Sequence, residues 1–193
     1  VAIIKDTGLF DFLEAHAAAL RARDEDLIEE VIKRTALLHL DHIRCGGDPF
    51  ESGTARPLDF GHWAAHKLEV LSNYRLGHGQ AVAIGIVLDS RYAALCGLLS
   101  EADATRIQQA LSAMGLPVWD ALLEARTETG ELEILKGLEE FREHLGGSLT
   151  ITLPQGIGSK IEVHEMDTDK LIEALGGVKA SCRHDARRCV HSA

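Results

Sequence analysis

The sequence is short of cysteine, of basic residues and of long apolar runs, and each shortage excludes a class of protein. Four cysteines in 193 residues form no disulfide framework, which favours a reducing, cytoplasmic compartment. With 20 Lys and Arg against 30 Asp and Glu, the formal charge of −10 argues against a nucleic-acid partner. No apolar run reaches the ~20 residues of a membrane span, and the first residues do not resemble a signal peptide, so no membrane partner is expected.

A dinucleotide-binding fingerprint is also missing, because the chain contains no G-x-G-x-x-G motif and no βαβ pattern. What it does contain is a helical periodicity of apolar residues over most of its length. This periodicity predicts helices at Gly8–Arg23, Asp24–Ile43, Pro57–Ser72, His78–Cys96, Glu101–Met114, Trp119–Ala125, Glu131–His144 and Thr168–Leu175. A period of two then predicts one β-hairpin over Ser148–Glu165.

These elements predict a mainly α fold, a helical bundle domain with one small β-hairpin, that covers residues 1–178. Residues 179–193 are polar, basic and aperiodic, which predicts a disordered tail. The chain begins with Val1 inside an apolar segment, as a polypeptide cut within a longer protein would. We therefore expect a fragment of a larger protein, from a cropped gene or as a processed product.

Three histidines form the densest candidate site. His62 and His66 are four residues apart on a predicted helix, so their rings leave the same face, as two helical metal ligands do. Such a pair alone is more often a set of surface or core histidines. His78 strengthens the metal hypothesis, because it begins an apolar helix whose positive end favours the neutral, ligating imidazole. The alternative is that His78 is a polar cap.

The segments around these histidines resemble a known family. The block FGHWAAHKLE at 60–69, followed by HGQAVAIG at 78–85, is similar to the C-terminal half of 3-dehydroquinate synthase and the related sugar phosphate cyclases. The resemblance implies a helical domain that binds zinc, or another divalent metal such as Co²⁺, through one glutamate and two histidines. It assigns the two metal ligands to His62 and His78, and it makes His66 a catalytic residue near the reacting end of the substrate.

The resemblance also implies cofactors, partners and a reaction. NAD would be bound mainly by an N-terminal domain of the same enzyme, and the full-length protein would be a homodimer. The reaction would be the NAD- and zinc-dependent cyclisation of a heptulosonate 7-phosphate with elimination of phosphate, a lyase step of the shikimate pathway and aromatic amino acid biosynthesis. The family's glutamate ligand and its NAD-binding domain would precede Val1, so this chain alone is predicted to be inactive.

Two further candidate catalytic residues differ from the family pattern. Asp59 stands where the family has Asn, and Arg56 lies one position later than the family's arginine. A family lysine aligns near Asp41, and another aligns near residues 142–144. Losing cations favours a substrate with fewer negative charges. Three hypotheses stay open: a heptulosonate phosphate cyclase, a valiolone-synthase-like cyclase of a neutral heptulose phosphate in secondary metabolism, and a non-catalytic helical binding module.

Overall fold

The computed structural model describes residues 1–46, 59–144 and 146–190 of the chain. The described helices are α1 (Ala2–Lys5), α2 (Thr7–Ala15), α3 (Ala17–Arg21), α4 (Glu25–Gly46), α5 (His62–Leu71), α6 (His78–Leu95), α7 (Glu101–Ala113), α8 (Lys136–His144) and α9 (Thr168–Val190). Two short 3-10 helices cover Ala121–Glu124 and Glu133–Leu135, and the strands are β1 (Ile151–Pro154) and β2 (Lys160–Val163). The predicted mainly α fold with one hairpin is confirmed.

The hairpin lies where the alternation of apolar residues predicts it. Its strands β1 and β2 pair antiparallel, with Ile151 opposite Val163. Gly156 and Gly158 in the connecting turn have φ angles of 74° and 92°, a backbone region that glycine enters without strain. All of β1 is buried, and it packs against α6, so the hairpin closes one side of the helical core.

Helix α6 is the centre of the fold, as its apolar sequence AVAIGIVL predicts. It packs against α5, α7, α9 and β1. Ile84 and Leu88 on one side belong to a core cluster with Trp63 and Leu68 of α5. Ala83, Val87 and Ala93 belong to a second cluster, which includes Phe10, Phe60, Ile107 and Val178. Because both faces of α6 are buried, this helix determines where the neighbouring helices and the hairpin lie.

Two glycines let the beginning of α5 lie directly on the backbone of α6. A Cβ atom added to Gly85 would lie 2.0 Å from the carbonyl oxygen of Gly61, which is too close for any side chain. Gly61 has a φ of 79°, and a Cβ atom there would lie 2.6 Å from the backbone nitrogen of Ile86. This contact holds the residue that follows, His62, against α6.

The structure differs from the sequence prediction near the N-terminus. The single helix predicted over Gly8–Arg23 is divided into α2 and α3, and α1 precedes them. Asp6 caps α2, because its Oδ1 accepts a hydrogen bond of 2.7 Å from the Leu9 N–H. His16 interrupts the helix, and its Nδ1 bonds the Phe12 carbonyl at 2.9 Å. The periodicity of apolar residues continues through both breaks, so it does not predict them.

The bounds of other predicted helices are shifted as well. Helix α5 begins at His62, because residues 59–61 form a turn, while the predicted start at Pro57 lies outside the described residues. The helix predicted over Trp119–Ala125 is a 3-10 helix at Ala121–Glu124. Helix α9 continues to Val190, beyond the predicted end at Leu175 and into the predicted tail.

Local contacts explain why α9 is longer than predicted. Val178 is buried in a core cluster, one turn after the buried Leu175. Further along, Ser181 exchanges hydrogen bonds of 2.9 and 3.0 Å with the side chain of Gln108 on α7. The pair Gly176-Gly177 therefore does not end the helix, because packing against α6 and the bonds to Gln108 outweigh the low helix propensity of glycine. None of the helices in the described ranges is both long enough and apolar enough to cross a membrane.

Candidate metal centre

Three imidazole rings lie close together on the consecutive helices α5 and α6. The ring centroid of His62 is 5.1 Å from that of His78 and 5.7 Å from that of His66. The centroids of His66 and His78 are 6.1 Å apart. His62 and His66 lie on successive turns of α5, and His78 is the first residue of α6. We call these three residues the histidine cluster.

The start of α6 is ordered by its own hydrogen bonds. Gly77 is the N-cap residue, and its N–H donates a hydrogen bond of 3.0 Å to Oε1 of Gln80. The N–H groups of Gln80 and Ala81 donate in turn to the Gly77 carbonyl at 2.9 and 3.0 Å. His78 is therefore held on a formed first turn of the helix, with its side chain more than half exposed.

A buried carboxylate holds the start of α5 on both sides of His62. Asp89 of α6 is completely buried; its Oδ1 accepts from Nε1–H of Trp63 at 2.8 Å, and its Oδ2 accepts from the Gly61 N–H at 3.0 Å. Burial raises the pKa of Asp89 to about 7, and the two N–H donors limit the rise. Sequence reasoning missed Asp89, although an acidic residue inside an apolar helix was the available signal.

Two rings of the histidine cluster have Nδ1 engaged as a donor. Nδ1 of His62 lies 3.1 Å from the carbonyl oxygen of Phe60, and Nδ1 of His78 lies 3.1 Å from Oε2 of Glu69. Since a carbonyl or carboxylate oxygen only accepts, the proton belongs on Nδ1 in both rings. Each neutral ring then presents Nε2, with its lone pair, as the ligand atom.

The charge state of His62 also suits a ligand. Burial lowers its pKa, the hydrogen bond to Phe60 raises it, the neighbouring His78 and His66 lower it, and Asp59 raises it. The net result is a lowered pKa, so the ring is neutral at pH 7. A neutral imidazole is the form that binds a metal ion.

Glu69 is a second side chain that sequence reasoning missed as part of the site. His66, Glu69 and His78 each offer a ligand atom, and these atoms lie within 4.8 Å of one another. The available signal was its position three residues after His66, on the same face of α5. Two donor sets are therefore possible: the predicted pair of His62 and His78, or a set in which Glu69 joins His66 and His78.

The other predicted site residues have different outcomes. His66 is exposed, and its ring centroid lies 6.1 Å from that of Phe141 on α8. Asp59 is half-buried in the turn before α5, where its charge acts on His62. Arg56 lies outside the described residues. The structure thus brings His62, His66 and His78 together with Asp59 beside them, and the assignment of metal ligands stays a prediction.

Fold and site together define a helical C-terminal domain of the sugar phosphate cyclase type. The family model described as 3-dehydroquinate synthase C-terminal matches residues 1–134. The chain belongs to the 3-dehydroquinate synthase family, as the resemblance of its histidine segments predicts.

Curated relatives carry two kinds of name. The chain is 32% identical over 174 residues to a 3-dehydroquinate synthase of Geobacter sp. (strain M21), covering 90% of this chain and 46% of the relative. It is 32% identical over 167 residues to a 2-epi-5-epi-valiolone synthase of Streptomyces glaucescens, covering 86% of this chain and 42% of the relative. The chain thus spans slightly less than half the length of these relatives.

A solved structure has the same fold. It is the 2-epi-5-epi-valiolone synthase of Streptomyces hygroscopicus subsp. jinggangensis 5008, with NAD⁺ and Zn²⁺ bound. The TM-score is 0.82 at 28% identity, and the match covers 93% of this chain and 48% of that protein. This agreement supports the helical domain assignment over nearly the whole chain.

Proposed function

We propose that the chain is the metal-binding half of a sugar phosphate cyclase, in which Nε2 of His62 and Nε2 of His78 bind one divalent cation. The observation that carries this proposal is that Nδ1 of each ring lies 3.1 Å from an oxygen that can only accept a hydrogen bond, which leaves Nε2 for the cation. Imidazole nitrogens suit Zn²⁺ and other late divalent metals such as Co²⁺. The Zn²⁺ and NAD⁺ bound by the Streptomyces hygroscopicus relative support the same cofactors here.

The proposal needs a second half of the enzyme. That half would supply the third metal ligand and the NAD-binding domain, in agreement with the coverage of 46% of the Geobacter relative. Without it the chain would bind metal weakly and would not turn over substrate. A homodimer and a cytoplasmic location are part of the same proposal, carried by family resemblance alone.

Each residue of the site has a distinct task. When bound, the metal would supply Lewis-acid polarisation of the substrate hydroxyl that NAD oxidises. His62 and His78 would fix the metal against the start of α6. His66 lies one turn further along α5 with its ring exposed, so its imidazole is placed to hold a phosphate oxygen or to move a proton there. Asp59 would face the substrate from the turn before α5.

Two substrates fit this arrangement, and the first is the heptulosonate 7-phosphate of the 3-dehydroquinate synthases. Its cyclisation eliminates phosphate, which makes the enzyme a carbon–oxygen lyase of the shikimate pathway. The family model and the Geobacter relative support it. The second is a neutral heptulose phosphate. It is favoured by Asp59, a half-buried carboxylate that would repel a substrate carboxylate, and by the valiolone synthases among the relatives.

Metal content tests the proposal directly. The chain in one polypeptide with the NAD-binding half, its variants His62→Ala and His78→Ala, and the control His164→Ala are dialysed against Zn²⁺ and analysed for bound metal. His164 is a matched control because it is an exposed histidine after β2 whose Nδ1 also bonds a backbone carbonyl, that of Leu149. We expect bound Zn²⁺ in the wild type and the control, and its loss in both other variants. Equal occupancy in all four proteins would favour the non-catalytic binding module.

Phosphate release distinguishes the two substrates. The chain is expressed in one polypeptide with the NAD-binding half that the proposal requires, and it is offered a heptulosonate phosphate and a neutral heptulose phosphate separately. Release from the neutral sugar alone would establish the second candidate. Release from the heptulosonate alone would remove it and leave the shikimate-pathway reaction. Removing the charge with Asp59→Asn is expected to shift turnover towards the heptulosonate, because it removes a repulsive carboxylate.

A further inference from the structure

We propose that Glu69 is a positioning residue of the metal centre, which sets the tautomer of His78 and directs its Nε2 towards the metal. This inference rests on the proposed function of the histidine cluster. The contact that carries it is the bond of 3.1 Å between Oε2 of Glu69 and Nδ1 of His78. A carboxylate behind a ligating imidazole fixes the ring's orientation and raises the basicity of its other nitrogen.

The carboxylate is held more firmly than the ring it contacts. The side chain of Glu69 is 18% exposed, whereas that of His78 is 55% exposed. Its backbone carbonyl accepts bonds from the Tyr74 N–H at 2.8 Å and from the Ser72 hydroxyl at 3.0 Å. These bonds close the end of α5 and fix the backbone from which the side chain of Glu69 extends.

The contact also favours one of the two donor sets. If Glu69 bound the ion through Oε2, that oxygen would give up the Nδ1 proton that it now accepts. With the proton retained, Glu69 lies behind His78, and Nε2 is the nitrogen left for the ion. The geometry therefore favours Glu69 as the partner of a ligand over Glu69 as a ligand.

Long-range ¹H–¹⁵N NMR of the histidine side chains tests this without any metal. At about pH 8 we expect His78 of the wild type in the Nδ1–H tautomer, because its Nδ1 faces Oε2 of Glu69. Glu69→Ala removes the acceptor, so the ring should shift to the Nε2–H form. Glu69→Gln keeps an acceptor oxygen and should restore Nδ1–H. Glu173→Ala, which removes an exposed glutamate of α9, is the control and should match the wild type.

Zinc affinity, measured by competition with a chromophoric chelator, gives the second readout. We expect a 10–100-fold loss for Glu69→Ala, the range for removing the partner of a ligating histidine, and a smaller loss for Glu69→Gln. An Nε2–H tautomer in the wild type, or no tautomer change in Glu69→Ala, would overturn the inference. An equal loss of affinity in both variants, with a changed absorption spectrum of the Co²⁺ that they still bind at saturation, would also overturn it, because Glu69 would then be a ligand.

The two readouts separate this inference from the proposed function. A wild type that binds no Zn²⁺ contradicts the metal-binding proposal, and the tautomer of His78 still shows whether Glu69 orients the ring. A wild type that binds Zn²⁺ with its His78 in the Nε2–H form supports the metal site and overturns the role of Glu69.

Discussion

A single buried carboxylate organises the start of α5. Asp89 accepts one hydrogen bond from the Gly61 backbone and one from the Trp63 indole, the residues on either side of His62. Two opposing effects act on it, because burial favours the neutral acid while both N–H donors favour the carboxylate. Burial has the larger effect, and the pKa rises from 3.8 to about 7. A residue that supports the site thus titrates close to neutral pH.

Asp89 should make stability fall as the pH rises from about 4 to 7. The folded protein binds this proton more tightly than the unfolded chain, so the contribution of Asp89 is fully present below the unfolded pKa of 3.8 and is lost through about 7. In that window the free energy of unfolding should decrease by up to about 1.4 kcal/mol per pH unit. Urea titrations of the wild type and of Asp89→Asn measure the difference between their slopes.

The Asp89→Asn variant is the control for that measurement. It cannot ionise, so its stability should lack the component that Asp89 adds between pH 4 and 7. It should also be less stable than the wild type at about pH 4, by about 1–3 kcal/mol, because its amide N–H₂ faces an N–H donor. Parallel pH profiles for the two proteins would contradict a raised pKa for Asp89.

At the scale of elements, the close packing of α5 on α6 depends on glycine. The carbonyl of Gly61 occupies the space that a side chain at position 85 would need. The opposing atoms belong to the backbone, so no rotamer change relieves the overlap. Gly79, also on α6, allows no such close approach, since a Cβ atom added there would have no neighbouring atom within 4 Å. Substitution by alanine at Gly85 and at Gly79 should therefore change stability in opposite directions.

Gly85→Ala should destabilise the protein by about 3 kcal/mol or more, through displacement of α5 from α6. Gly79→Ala should change stability by less than about 1 kcal/mol, in the stabilising direction, because alanine has the higher helix propensity. Thermal unfolding followed by circular dichroism compares the two variants. The imidazole signals of His62 in the NMR spectrum should shift only in Gly85→Ala. Equal stability of the two variants would show that α5 does not depend on this contact.

For the molecule as a whole, local patterns predicted the elements, and contacts distant in sequence decided the rest. The apolar run of α6, the alternation of the hairpin and the spacing of His62 and His66 are all visible in the sequence. The bond of Glu69 to His78 and the bonds of Asp89 depend on how α5 packs on α6, which no periodicity records. The extension of α9 depends in the same way on Gln108, which lies 73 residues before Ser181.

An ion pair between distant parts of the chain gives the last prediction. Nζ of Lys67 on α5 is 2.6 Å from Oε1 of Glu140 on α8 and 3.6 Å from Oε1 of Glu133. The side chain of Lys67 is 7% exposed and that of Glu140 is 55% exposed. If Lys67 is replaced, water hydrates the Glu140 carboxylate that remains. If Glu140 is replaced, the buried ammonium group of Lys67 loses its nearest counter-charge. Substitution of Glu140 should therefore reduce stability more than substitution of Lys67.

We expect Glu140→Ala to cost about 1–3 kcal/mol of stability and Lys67→Met to cost less than about 1 kcal/mol. Glu143→Ala, which removes an exposed glutamate of the same helix, should have little effect and controls for the change in charge. Denaturant unfolding of the wild type, the three single variants and the double variant Lys67→Met/Glu140→Ala measures the four differences at one pH and ionic strength. The double variant should resemble Lys67→Met, because Glu140 has no buried cation to pair with once the lysine is gone. A larger cost for Lys67→Met than for Glu140→Ala would mean that the packing of the lysine chain against α8, close to Gly137, outweighs the charge.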